Sequence, residues 1–248
     1  TTYIYTLSLH DALPISITKR ITHEIMECRG YELKNIKGII FDLDGTLLDT
    51  LEDLTDAVNH VMEMFSLETK SIDQVRSYVG NGVVNLMEQC VPGGETHAQF
   101  TEILYAFMHY YEMNCDHKTK PYDGVLTLIE KLHSEKRQLG IVSNKFDSAV
   151  KELNRQYFHS WIDFALGVSD ALHRKPAPDM VYACIEQMHL KPEEVVYIGD
   201  SEVDLMTAQN AGIKCISVLW GFRSLEVLLE HGATQIVSTV EELEDVLM

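Results

Sequence analysis

Asp42 and Asp44 stand one residue apart in the stretch GIIFDLDGTLLDT, Gly38 to Thr50. Two carboxylates held this close repel each other unless one is protonated or a cation sits between them. The segment therefore asks for a metal, a shared proton, or both. Further polar clusters follow at the ends of apolar runs or in the loop beyond: Ser143 and Asn144 in IVSNK, Lys175 in RKPAP, and Asp200 with Asp204 in YIGDSEVD. Taken singly, each is equally the raw material of a helix cap or a turn. Their recurrence in this order, each at the end of an apolar run or in the loop beyond it, is hard to attribute to chance.

The elements that must position these residues can be read from periodicity. Ile39, Ile40 and Phe41 are β-formers with no polar break, as in a strand buried on both faces of a parallel sheet, and the first strand is expected over Lys37 to Leu43. After Thr50, apolar residues at Leu51, Leu54, Val58, Val61, Met62 and Phe65 keep the spacing of an amphipathic helix. Helical patterns continue through Val75, Met87, Ile103, Phe107 and Tyr111 with no convincing strand among them. From Pro121 helices alternate with the strands LGIVSN, WIDFALGVS, EVVYIGD, CISVLW and QIVST. Repeated βα units predict an α/β fold, a doubly wound parallel sheet covered by helices on both faces. The helical block then interrupts it after the first strand: core over 36–52 and 119–248, inserted α-helical domain over 53–118. Lys175 is expected to open a helix, with Pro176 in its first turn. Such sheets bind ligands at the C-terminal ends of their strands, beside a topological switch point, which gathers the polar clusters into one place.

Composition narrows the setting. The 248 residues are 46% hydrophobic, enough for a substantial core. A formal net charge of -18 opposes nucleic acid or an anionic membrane as partner, leaving a small molecule whose own negative charge a local cation would have to meet. The 5 cysteines (Cys28, Cys90, Cys115, Cys184, Cys215) are scattered, as expected of reduced thiols in a cytoplasmic protein, and the 11 histidines have no metal-ligand spacing. No apolar run approaches the roughly 20 residues of a bilayer span. Residues 1–35 read as a leader. Within it TLSLHDALPI, Thr6 to Ile15, is what a widely used sequencing-library adapter encodes, so residues 1–16 are expected to be an adapter-derived artefact outside the fold.

From about Lys37 onward the chain resembles the haloacid-dehalogenase-superfamily phosphatases. DLDGTLLDT matches that superfamily's first motif, IVSNK the second, Lys175 in KPAP the third and GDSEVD the fourth. YVGNGV (Tyr78 to Val83), YYEMN and PYDGV further resemble the phosphoglycolate-phosphatase branch, although related pyrophosphatases and phosphosugar enzymes share parts of them. The resemblance implies a Rossmann-like core with a mobile helical cap, acting on a small phosphate monoester, phosphoglycolate above others. It implies Asp42 as nucleophile forming an aspartyl-phosphate and Asp44 as general acid, then base. Mg²⁺ would be held by Asp42, the Asp44 main-chain carbonyl and Asp200, with Asp204 supporting the metal shell or orienting Lys175. Gly45, Thr46, Ser143, Asn144 and Lys175 would hold the phosphoryl group, and Lys175 would supply fixed positive charge. Arg76, Gly80, Asn81 and Gly82 in the cap, with Lys145 in the core, are the candidates for substrate choice. The alternatives are a pyrophosphatase, a phosphosugar phosphatase or mutase on the same core, and a receiver-like phospho-acceptor module, which needs neither Asp44 nor a cap. The oligomeric state is left as monomer or homodimer.

Overall fold

The computed structural model describes residues 33, 35–169 and 171–248. The adapter-like segment and Cys28 lie outside the described residues.

The chain enters the fold through β1 (Gly38–Phe41), buried at every position. Ile39 and Phe41 pack into one apolar cluster and Ile40 into another on the opposite face. Both faces of the strand are thus covered, which is why the run carries no polar alternation. Asp42 N still donates to Ile198 O at 2.8 Å, so strand-like pairing reaches the first carboxylate although the regular strand is shorter than expected.

β2 (Leu48–Asp49) then leads into a helical block: α1 (Leu51–Met64), α2 (Ile72–Tyr78), α3 (Gly82–Cys90) and α4 (Phe100–Asn114). Leu54, Val58, Val61, Val75, Met87, Ile103 and Phe107 form its own apolar centre, each burial stabilising it by roughly 1.5–3 kcal/mol. Ser71 and Gln74 close a capping box at the start of α2. Gly80 (φ +124) and Gly82 (φ +83) make the turn from α2 into α3 through left-handed backbone that a side chain would disfavour. The block returns through β3 (Lys120–Pro121), which pairs antiparallel with β2, Leu48 opposite Pro121 and Asp49 opposite Lys120. The Asp53 carboxylate in the first turn of α1 accepts from the amides of Lys118 (2.9 Å) and Thr119 (2.8 Å), binding the way in to the way out. Two-residue strands carry no periodicity, so sequence alone did not predict this ribbon.

The rest alternates: α5 (Val125–Ser134), β4 (Gln138–Phe146), α6 (Asp147–Tyr157), β5 (Phe164–Val168), α7 (Asp179–Gln187), β6 (Val195–Gly199), α8 (Glu202–Ala211), β7 (Lys214–Val218), α9 (Leu225–Glu230), β8 (Ile236–Val237) and α10 (Val240–Leu247). The sheet is parallel throughout, in the order β5-β4-β1-β6-β7-β8. Apolar residues of α5, α6 and α10 cover one face, and those of α7 and α8 the other. Gly140 on β4 makes room for α7, since a Cβ there would lie 2.5 Å from Cys184 Sγ. Lys175 does not open a helix: α7 begins at Asp179. The prolines at 176 and 178 each disfavour helical backbone in the residue before them, which holds the Lys175 segment as a loop. Among the described residues no helix is long and apolar enough to cross a membrane.

Candidate active site

β1 connects toward the β4 side of the sheet and β6 toward β7, so the crevice between the ends of β1 and β6 is the switch point. Asp42 and Asp44 follow β1 there, and Asp200 follows β6. Lys175 joins them from its loop. Its Nζ lies 2.9 Å from Asp42 Oδ1, 2.7 Å from Asp204 Oδ1 and 3.0 Å from the Tyr197 hydroxyl. Tyr197 in turn donates to Val142 O at 2.9 Å, fixing its ring between two central strands. Asp204 is the third residue of α8, and its other oxygen accepts from Ser201 N (3.0 Å) and Ser201 Oγ (2.6 Å) in a capping box. One carboxylate thus closes a helix and orients the buried lysine.

The charges in this cluster do not balance. Asp42, Asp200 and Asp204 bring oxygens within 4.8 Å of one another, with Lys175 the ammonium among them. Burial pushes the Asp42 carboxyl well above the carboxylate range; Lys175 opposes this, and the charges of Asp204, Asp200 and Asp44 add to it. Burial, then Asp204, raises Asp200 to about 7 although the Phe222 amide donates to it at 2.7 Å. Lys175 stays protonated: burial works against its charge, but Asp204 and Asp42 outweigh burial. Carboxylates outnumbering the ammonium by two leave a deficit that one divalent cation would fill, and an all-oxygen donor set suits Mg²⁺. The residues present fit such an ion.

Asp44 has a different environment. Its Oδ1 lies 2.8 Å from Lys145 Nζ, and the same ammonium donates to the hydroxyl of Tyr111, on α4 of the cap, at 2.5 Å. Lys145 also stands 4.6 Å over the Tyr111 ring, and Tyr111 stacks on Phe107 inside the cap. Burial opposes the charge on Lys145, but Asp44 and Tyr111 raise it above its ordinary value. The second aspartate is therefore held by a core lysine that the cap supports.

The cavity over these groups, about 550 Å³ including its mouth, has Asp42, Asp44, Ser143 and Asp200 on its polar side and Leu54, Val79, Val83, Leu86 and Phe222 as apolar wall. Asn144, Lys145, Gly80 and Gly82 also line it. Ser143 Oγ accepts from Lys145 N at 3.3 Å. Thr46 spends its hydroxyl on Asp200 Oδ1 (3.2 Å), and Gly45 N donates to Leu48 O (2.9 Å) within the loop. Asn144 binds main chain: it accepts from Lys175 N at 2.7 Å and donates to Lys175 O and Gly80 O, both at 3.1 Å. Arg76 and Asn81 do not line the cavity; the Arg76 side chain is 44% exposed, with Asp73 3.8 Å away. Sequence reasoning missed Tyr111, Tyr197 and Arg223. Tyr197 had a signal, a buried strand aromatic with a polar tip. Arg223 had one too, lying just past β7 at the ligand-binding edge.

An all-parallel sheet with a helical cap inserted after its first strand and a carboxylate-lysine cluster at its switch point marks a doubly wound α/β protein with a ligand site beneath the cap. The chain belongs to the haloacid dehalogenase-like hydrolase family, whose model matches residues 39–218. It is similar to the phosphoglycolate phosphatase of Aquifex aeolicus, 31% identical over 191 residues that cover 77% of this chain and 88% of that protein. The phosphoglycolate phosphatase of Cereibacter sphaeroides is 32% identical over 219 residues, 85% of this chain and 97% of its own length. A crystal structure of a Lactobacillus delbrueckii subsp. bulgaricus protein superposes with a TM-score of 0.83 at 36% identity, over 86% of this chain and 99% of that one.

Proposed function

We propose that the protein is a Mg²⁺-dependent phosphatase that hydrolyses a compact phosphate monoester, phosphoglycolate, through an aspartyl-phosphate on Asp42. The observation that carries this reading is the separation of the paired aspartates: Asp42 lies on Lys175 among the other carboxylates, while Asp44 lies on its own cation, Lys145. In this reading one carboxylate attacks phosphorus and the other handles protons.

Hydrolysis of a phosphate monoester is among the slowest uncatalysed reactions, needing up to about 10^21-fold, roughly 29 kcal/mol, of acceleration. Asp42 attacks phosphorus while the bond to the leaving oxygen breaks and Asp44 gives that oxygen a proton. Asp44 then takes a proton from water, whose oxygen attacks the same phosphorus, releasing inorganic phosphate and restoring the Asp42 carboxylate. Lys175 keeps positive charge beside the transferring group, and Ser143 offers a hydroxyl to a phosphoryl oxygen. Mg²⁺ bound by Asp42, the Asp44 carbonyl and Asp200 would neutralise the approach of one anion to another. In this reading the organic group of the substrate lies against the apolar wall. Lys145 and Arg223 both line the cavity, and Lys145, beside Asp44, is the cation that the carboxylate of phosphoglycolate would meet.

Turnover on phosphoglycolate, pyrophosphate and an aryl phosphate, with Mg²⁺ and with chelator, tests the proposal. Phosphate release fastest from phosphoglycolate and abolished by chelation is the expected result. A preference for pyrophosphate, or an isomerised product without phosphate release, would overturn the substrate assignment.

A further inference from the structure

The cap segment after α2 meets the core with its main chain. The carbonyl oxygens of Arg76 and Val79 accept from Arg223 Nη1 (3.2 Å) and Nη2 (2.6 Å). That of Gly80 accepts from Asn144 Nδ2 (3.1 Å), and that of Asn81 from Arg174 Nη1 (3.2 Å). Arg76 and Val79 lie at the C-terminal end of α2, where a helix leaves carbonyls without partners and its dipole is negative. Arg223 caps that helix from the other domain, out of the loop after β7. Its charge is balanced by Glu202, the first residue of α8, with Nε 2.7 Å from Oε2 and Nη2 3.3 Å from Oε1.

Each of these core donors adjoins a residue of the site. Asn144 follows Ser143, and Arg174 precedes Lys175. Arg223 follows Phe222, whose amide binds Asp200, and Gly221, where a Cβ would lie 2.3 Å from Asp200 Cβ. A shift of the Arg223 loop therefore moves atoms packed directly on Asp200.

We propose that Arg223 is a positioning residue: by gripping the Arg76 and Val79 carbonyls it sets Gly80 and Gly82 over the cavity and ties that arrangement to the loop against Asp200. Its effect on turnover rests on the phosphatase reading; the placement of the segment does not. A guanidinium is required because its rigid fork serves the carboxylate and both carbonyls at once, which a lysine cannot do.

Hydrogen–deuterium exchange and steady-state kinetics on the full chain test this with Arg223→Ala and, as the variant that retains charge opposite Glu202, Arg223→Lys. Amides over 76–84 should exchange about tenfold faster or more in both, while α1, α4 and the central strands keep their protection. kcat/KM for phosphoglycolate should fall about tenfold in parallel. Unchanged exchange over 76–84 would overturn the proposal. So would uniform loosening of α1 to α4, which would make Arg223 a general support of the cap. Wild-type protein inactive on every ester would instead overturn the phosphatase reading and the claim on turnover with it.

Discussion

Lys175 and Lys145 are both buried ammonium groups set against an aspartate of the first loop, yet they are assembled differently. Among the described residues the partners of the Lys175 ammonium, Asp42, Asp204 and Tyr197, all belong to the sheet core. Lys145 binds Asp44 from the core and Tyr111 from the cap. The Asp42 side of the site is complete without the cap. The Asp44 side is complete only with it. On the mechanism proposed above, a cap that moved between the two transfers would reach the proton-transfer side and leave the attacking carboxylate in place.

The strongest way to break the comparison is at the aspartates themselves. Asp42→Asn should abolish the phosphoenzyme and lower kcat by at least about 10^4-fold, because an amide is a poor nucleophile. Asp44→Asn should slow both transfers by roughly 10²–10⁴-fold, most for esters with poor leaving groups. Near-wild-type turnover by Asp42→Asn in a rapid-quench assay would remove the asymmetry altogether.

Stability should show the next largest difference. Lys175→Met strips the ammonium from Asp42 and the fully buried Asp204, and denaturant unfolding of the metal-free protein should show a loss of about 3–5 kcal/mol. Lys145→Met should cost less, since Asp44 keeps 15% of its side chain in contact with solvent. Equal losses would mean that the two lysines are equally embedded.

Tyr111→Phe sharpens the comparison from the cap side. It keeps the ring under Lys145 but deletes the hydroxyl, so kcat/KM should fall about tenfold for phosphoglycolate and by less for an aryl phosphate without a second charge. The melting temperature should barely move, and a Phe variant that loses both substrates equally would reduce Tyr111 to packing.

The smallest effect concerns Asp200 and pH. Its folded pKa of about 7 lies above the ordinary carboxylate value, so the stability linked to its protonation is present below about pH 4 and is lost as pH rises through 7. In metal-free protein Asp200→Asn should therefore raise the melting temperature by a few degrees at pH 8 and hardly at all at pH 4. Mg²⁺ should raise the melting temperature of the wild type and leave that of Asp200→Asn unchanged. A lower melting temperature for Asp200→Asn at pH 8 would mean that the carboxylate is adequately neutralised without metal.

What the sequence made legible follows how local each signal is. The continuous run Ile39 to Phe41 marked a doubly covered strand, and the 3.6-residue rhythm from Leu51 marked the first cap helix; both have those roles. Asp42, Asp44, Ser143, Lys145 and Asp200 were each found at a strand end, and the fold brings them to one cavity. Partnerships across the chain carry no such local mark. Tyr111 has the apolar spacing of a core residue, and nothing in that spacing tells that its hydroxyl meets a lysine 34 positions away. Arg76 and Asn81 were singled out for their side chains, whereas it is their carbonyl oxygens that touch the core. A main-chain contact is indifferent to residue type, so the letters of the sequence do not record it.

The pairing of Leu48 with Pro121 and Asp49 with Lys120, reinforced by Asp53 on the Lys118 and Thr119 amides, makes everything between them a cassette. To the sheet, the cap is one loop whose ends are already fastened. Closing a loop costs only about 0.6 kcal/mol more for each doubling of its length, so the size of the insertion weighs little on the core. The Asp42, Lys175 and Asp204 arrangement is thereby insulated from the length of the cassette, whereas the Tyr111 contact to Lys145 travels with it.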